Sequence, residues 1–207
     1  MKICSRSFAS ARRRRSCVET GAVLVEGAIV LPLFLALIVG VMEISLLMQH
    51  RSEVRQSVAA AARKASLSAN DANADFRALE ELRRTLGPRL PEVRYVIVFK
   101  AATGASRATS ECVGAAERGE AGVPDLCNIY SNAVISAPNP NLFGYTTADP
   151  TRTADQNWPA RDRSASYTGG RDLIGVQVRT TYRSTTGIFP TSTDTFVSVI
   201  RLEARGV

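Results

Sequence analysis

A long apolar stretch at residues 22–47 constrains this chain more than any other feature. Its only ionisable residues are Glu26 and Glu43. As an α-helix, the stretch would be about 39 Å long at about 1.5 Å per residue, and the hydrocarbon core of a bilayer is about 30 Å thick. The stretch therefore predicts one transmembrane helix, which we assign to residues 22–48.

Basic residues before this stretch predict its orientation. Of the net charge of +7, residues 1–21 carry +5, from six basic side chains and one acidic one, and the other 186 residues carry only +2. Four consecutive arginines, at positions 12–15, end shortly before the apolar stretch. The positive-inside rule places this N-terminus in the cytoplasm and residues 49–207 outside it. Because the excess positive charge belongs to the leader, it does not indicate nucleic-acid binding.

Glu26 lies inside the apolar stretch, at the fifth position when Ala22 is counted as the first. An unpaired carboxylate there costs a few kcal/mol and usually marks function. A basic leader, then Gly21, then an apolar segment with glutamate at its fifth position is the pattern that prepilin peptidases recognise. Cleavage after Gly21 would leave a charged amine on Ala22, and Glu26 of a neighbouring subunit could pair with it. An uncleaved signal anchor remains the alternative.

The apolar helix carries two further unusual residues and is predicted to continue beyond the membrane. Pro32 removes one helical hydrogen bond, which neighbouring helices can compensate. Glu43 lies near the outer end, where it either reaches the interface or contacts a partner helix. Alanine-rich sequence with an apolar stripe follows, so we predict one helix over residues 26–67.

Residues 49–207 are predicted to form a small exported α+β domain, helical over 49–86 and built of strands and loops over 93–207. A second amphipathic helix is predicted over residues 74–86, ending at Gly87 and Pro88. Strand patterns occur at 93–100, 173–182 and 196–202. They predict a mostly antiparallel sheet, with a long loop at 136–170 that Trp158 attaches to the core.

The four cysteines divide between the two predicted compartments. Cys4 and Cys17 lie in the leader, on the reducing side. Cys112 and Cys127, 15 residues apart, lie in the exported part, where disulfides form. We predict one disulfide between them, and two unpaired thiols are the alternative.

The sequence lacks the usual catalytic and cofactor motifs. It contains no phosphate-binding glycine loop, nucleophile elbow or H-E-x-x-H pattern. His50, the only histidine, is interpreted as a polar residue at the membrane exit. The carboxylates of Asp149, Asp155 and Asp162 are interpreted as part of a solvated loop. They could bind Ca²⁺, but they lack an EF-hand pattern. We therefore predict no enzyme, no metal, no cofactor and no small-molecule substrate.

Gly21, Glu26, Pro32 and Glu43 together resemble the TadE-like family of tight-adherence (Flp-type) pilus proteins. The family's N-terminal segment reads Gly-x-x-x-x-Glu, an apolar run with a proline, and a glutamate near its end. The resemblance is specific over about residues 20–60 and weaker at the cysteine loop and the last strand.

The resemblance implies a minor pilin or pseudopilin with a pilin-like fold. Such a protein would assist assembly of a type IV pilus, a filament used in adhesion or secretion. It implies Gly21 as the last leader residue and Ala22 as the new N-terminus, in the bacterial inner membrane. Its expected partners are other pilins, the pilus assembly machinery, prepilin peptidase and membrane lipid. An uncleaved, membrane-anchored binding module is the alternative function, with recognition by the loops of residues 104–170.

Overall fold

The computed structural model describes residues 10–166, 170–187 and 190–203, with side chains from Leu24 onward. The chain divides into two compact units, Met1–Leu46 and Leu47–Val207. Helix α1, Ser10–Ser68, contributes to both units and contains Pro32 without interruption. The predicted helix over 26–67 is therefore confirmed, and it begins earlier than the sequence indicated.

The second unit contains the end of α1 and a mixed set of helices and strands. Its first helix, α2 (Ala74–Leu86), begins after Asn73 and is capped by Gly87, whose φ of 51° lies in the left-handed region that favours glycine. In chain order, the elements after α1 are α2 (Ala74–Leu86), β1 (Val93–Ala101), α3 (Ser110–Arg118), β2 (Gly122–Val123), β3 (Cys127–Ser131), α4 (Asn132–Ser136), β4 (Leu173–Tyr182) and β5 (Ser192–Arg201).

The strands form one sheet in the order β2-β3-β1-β4-β5, and every neighbouring pair is antiparallel. β1 is central and buried at seven of its nine positions. This explains why its sequence reads as a nearly continuous apolar run, since both of its faces are covered. The predicted α+β fold with an antiparallel sheet is confirmed.

Two hydrophobic clusters cover the two faces of the sheet. The first joins α1 and α2 to one face, and its α1 contribution is the predicted stripe of Val54, Val58, Ala61 and Ala65, all at most 1% exposed. The second cluster joins α3 to the opposite face around Phe99. The sheet is therefore an inner layer with helices on both sides.

Several elements differ from the sequence prediction. The sequence predicts three strands, but the sheet has five, because the region between β1 and residue 132 contains α3, β2 and β3. β5 begins four residues earlier than predicted. The 136–170 region contains two 3₁₀ turns, Pro140–Leu142 and Ala160–Asp162, and Trp158 is 3% exposed within the first cluster, as predicted.

Candidate functional site

The apolar part of α1 is the first candidate site, because its side chains are exposed. Helix residues Leu24–Ser68 include a window with a mean hydropathy of 2.5, long and apolar enough to cross a membrane. Fourteen large apolar side chains between Leu24 and Met48 are 46–70% exposed. Such a surface requires lipid or other apolar helices around it.

Glu26 is an exposed acidic residue in this apolar surface. The backbone of Gly21 and Ala22 lies in α1, and the side chain of Ala22 lies outside the described part of the chain. Residues 22 and 26 are one helical turn apart, so an amine at residue 22 and the Glu26 carboxylate would lie on one side of the helix. The processing role of Gly21, Ala22 and Glu26 remains a prediction.

Pro32 and Glu43 differ in their surroundings. Pro32 is exposed on the apolar surface. Glu43 is 2% exposed, in contrast to the apolar residues on either side of it. Their roles in packing against a partner helix, and the alternative that Glu43 reaches the membrane interface, remain predictions.

A buried polar network in the second unit is centred on Asp75, at the first turn of α2. Asp75 Oδ1 accepts a hydrogen bond from Arg163 Nη1 at 2.6 Å, and Oδ2 accepts one from Arg163 Nη2 at 2.8 Å. Tyr130 Oη and Asn128 Nδ2, both on β3, donate to Oδ2 at 2.7 and 2.9 Å. Asp75 and Arg163 are completely buried. The network thus joins α2, the sheet and the 136–170 region.

Trp158 is held by the same groups. Its backbone oxygen accepts hydrogen bonds from Asn128 Nδ2 at 2.8 Å and Arg163 Nη2 at 3.1 Å, and its backbone nitrogen donates to Asn128 Oδ1 at 2.9 Å. The Arg163 guanidinium carbon lies 4.2 Å from the centroid of the indole ring. Charge, hydrogen bonds and ring stacking therefore attach this irregular region to the core.

The pKa shifts in the network follow from burial and charge pairing. Burial would raise the pKa of Asp75, but the Arg163 charge and the hydrogen bonds outweigh it, so the pKa of Asp75 is lowered. Burial, followed by the Asp75 charge, raises the pKa of Tyr130 well above its usual value. The stable form is therefore an ionised Asp75 beside a charged Arg163 and a neutral Tyr130, which is a structural arrangement.

Sequence reasoning missed this network, although α2 carried a signal for it. Asp75 lies on the buried stripe with Leu79, Leu82 and Leu86, at spacings of four, three and four. An acidic residue on the apolar face of an amphipathic helix indicates a buried partner, because an unpaired buried carboxylate is costly. The identity of Arg163 as that partner had no signal in the sequence, since 88 residues separate the two.

The predicted disulfide between Cys112 and Cys127 is present. Both cysteines are completely buried, and the bond joins α3 to β3 within the second cluster. α3 itself is well capped. The Thr109 hydroxyl accepts a hydrogen bond from Cys112 N, and Gly119 ends the helix with a φ of 78°.

His50 is not the polar interfacial residue that the sequence suggested, because it is completely buried. Its Nδ1 lies 3.0 Å from Glu92 Oε2, and its ring centroid is 5.0 Å from that of Tyr182. Burial, with a smaller contribution from the Arg89 charge, lowers the pKa of His50. Burial raises the pKa of Glu92. Burial therefore shifts the pKa of each group in the direction of its neutral form.

The three aspartates of the 136–170 region have separate roles. Asp155 is completely buried, contrary to its interpretation as solvated, and its Oδ1 accepts hydrogen bonds from the backbone nitrogens of Gly144 and Tyr145 at 2.9 and 3.0 Å. Asp149 pairs with Arg152 at 2.7 Å, and Asp162 is exposed. Within the described ranges, no group of three or more His, Cys, Asp or Glu residues is arranged to hold a metal ion.

Together, these features define a protein whose described part contains one candidate membrane-spanning helix and an α+β domain stabilised by a disulfide and a buried ion pair. Residues 21–63 match the family model described as TadE-like protein, which confirms the resemblance over the apolar segment and the helix after it. The match includes Gly21, Glu26, Pro32 and Glu43. No curated protein and no solved structure matches the chain.

Proposed function

We propose that this chain is a pseudopilin-like structural protein that assists assembly of a tight-adherence pilus. The TadE-like match supports an association with the Tad pilus machinery. The observation that carries the finer proposal is Glu26, an exposed carboxylate at the fifth position after Gly21, on an otherwise apolar helix surface. The protein works by helix packing and charge pairing in the membrane, without enzymatic chemistry.

The mechanism has two steps. Prepilin peptidase removes residues 1–21 on the cytoplasmic side, which leaves a positive amine on Ala22 in the membrane. In an assembly with another pilin-like subunit, Glu26 of one subunit pairs with such an amine on its neighbour. The apolar surroundings strengthen this pair and penalise its separation, so that the two helices are held in one register.

The deciding experiment measures the N-terminal residue and intact mass of the membrane-extracted protein, with and without prepilin peptidase in the same host. A peptidase-dependent start at Ala22 supports the proposal, and Gly21→Val, which alters the residue before the cut, should leave the leader attached. An intact leader in both hosts contradicts the proposal and favours the uncleaved, membrane-anchored binding module.

A further inference from the structure

The outer strand of the sheet, β5, is long and lacks the usual protection of an edge. It pairs with β4 over ten consecutive positions without a register shift, and in the described part of the chain no strand pairs with its other side. Proline, lysine, bulges or short length commonly block such edges. β5 has none of these features, and Asp194 and Arg201 are its only charged residues.

Helix α1 is attached to β5 at both ends of the strand and leaves its middle open. Near one end, Arg51 Nε lies 3.1 Å from Asp194 Oδ2. At the other end, Ser66 Oγ donates to the Arg201 carbonyl at 2.7 Å, and Glu203 N donates to the Ser66 carbonyl at 3.2 Å. The five residues 195–199 lie between these attachments.

A groove of about 450 Å³ runs along this open segment. Residues 195–199 form its floor, Arg55 and Ala59 of α1 line one wall, and the loop of residues 104–107 lines the other. The loop is held by hydrogen bonds, including Ala108 N to Gln177 Oε1 at 3.2 Å. A strand added to β5 would lie about 4.8 Å from it and direct successive side chains to the two walls alternately.

The charges of the groove select its occupant. Arg55 and Arg107 are exposed on opposite walls, and none of the lining residues is acidic. Among the described residues, neither arginine has an ion-pair partner. Pairing with β5 of a second copy would bring like charges together, because the middle of β5 contains no carboxylate to neutralise them.

We infer that this groove binds an extended, acidic segment of a different polypeptide, which adds to the sheet as a strand beside β5. Main-chain hydrogen bonds to residues 195–199 supply the affinity, and carboxylates facing Arg55 and Arg107 supply the selectivity. This inference is independent of the proposed function, since it concerns the second unit alone and holds whether or not the leader is cleaved.

The test uses the full chain in detergent micelles and capped eight-residue peptides of alternating valine and threonine. One peptide carries a glutamate on each face, a second carries lysines instead, and a third is the glutamate peptide with alternate backbone nitrogens methylated. Hydrogen exchange is followed residue by residue at millimolar peptide. We expect the glutamate peptide to slow the exchange of amides within 195–199 by about tenfold or more, and the methylated peptide to have no effect.

A charge reversal separates pairing from non-specific adhesion. Arg55→Glu/Arg107→Glu should bind the glutamate peptide about fivefold more weakly and the lysine peptide more tightly. Arg63→Glu, at an exposed α1 position outside the groove, is the matched control and should behave as the unmodified chain. Unchanged exchange in β1 confirms that each variant is folded.

Three results overturn the inference. They are the absence of protection in 195–199, equal binding of the methylated peptide, and protection of β5 that depends on protein concentration without peptide. The last result would assign the groove to a second copy of this chain.

Discussion

At the residue scale, the buried pair of Asp75 and Arg163 is the feature most sensitive to substitution. Asp75→Asn keeps the size of the side chain but leaves the Arg163 charge completely buried without its carboxylate. We expect a loss of about 3–5 kcal/mol in the free energy of unfolding. Urea unfolding of the full chain in micelles measures this loss, and Glu80→Gln, at an exposed position of the same helix, is the control.

The double variant Asp75→Asn/Arg163→Met distinguishes the cost of an unpaired charge from the value of the pair. Without the guanidinium, no buried charge remains at this position, so the double variant should be more stable than Asp75→Asn alone. The free energy of unfolding of Arg163→Met alone completes the comparison. If the double variant loses as much free energy of unfolding as Asp75→Asn and Arg163→Met lose together, the penalty of the unpaired charge is not the dominant effect.

The lowered pKa of His50 predicts a specific dependence of the free energy of unfolding on pH. Its pKa in the folded chain lies below the ordinary value of 6.5, because of burial and then the Arg89 charge. As pH falls below about 6.5, the unfolded chain therefore binds a proton at His50 that the folded chain does not, and the free energy of unfolding decreases by up to about 1.4 kcal/mol per pH unit.

The measurement is the unfolding free energy of the unmodified chain and of His50→Gln between about pH 7.5 and 5.5. The variant should show a smaller decrease with falling pH. Glu92 contacts His50, and its raised pKa acts in the opposite direction at lower pH. Both proteins are therefore also compared with Glu92→Gln added, so that the remaining difference is that of His50. Parallel curves would show that His50 titrates alike in the folded and unfolded chains.

At the scale of elements, the disulfide fixes α3 against the sheet. It closes a loop of 15 residues. In the chain-entropy model, a crosslink of this length raises the free energy of unfolding by about 3 kcal/mol. Cys112→Ala/Cys127→Ala should lower the free energy of unfolding by about this amount, and hydrogen exchange should accelerate in α3 before α2. Equal acceleration in both helices would mean that the bond stabilises the whole domain and not α3 in particular.

The elements also show which parts of the fold could be predicted from the sequence. α2 and β4 were predicted with their observed bounds, because their apolar periods are regular and glycine, proline or aspartate borders them. The sequence does not predict α3, because its short, glycine- and alanine-containing stretch resembles a loop, although Thr109 and Gly119 are its capping residues and Glu111 is an acidic residue in its first turn. The pairing of Asp75 with Arg163 depends on tertiary structure, which local periodicity does not encode.

At the scale of the whole molecule, the two units require different surroundings. The second unit has its own buried core on both faces of the sheet. The first unit exposes thirteen large apolar side chains, from Leu24 to Ile44. At about 1.5 kcal/mol for each, leaving them in water would cost about 20 kcal/mol, which exceeds the stability of an ordinary domain. The first unit is therefore stable only in lipid or against other helices, and this requirement makes Glu26 significant.

Glu26 is consequently the residue whose substitution should affect assembly without affecting the fold. Glu26→Gln keeps the size and helix compatibility of the side chain but removes the charge that would pair with a partner's amine. We expect membrane insertion to be unchanged and pilus yield, measured on filaments sheared from cells, to fall by about tenfold or more, because an ion pair in apolar surroundings contributes more than about 1.4 kcal/mol. Glu80→Gln, on the exposed surface of α2, should leave the yield unchanged. Equal yields from Glu26→Gln and the unmodified chain would contradict the pairing role, and a lower yield with reduced insertion would assign Glu26 to membrane targeting instead.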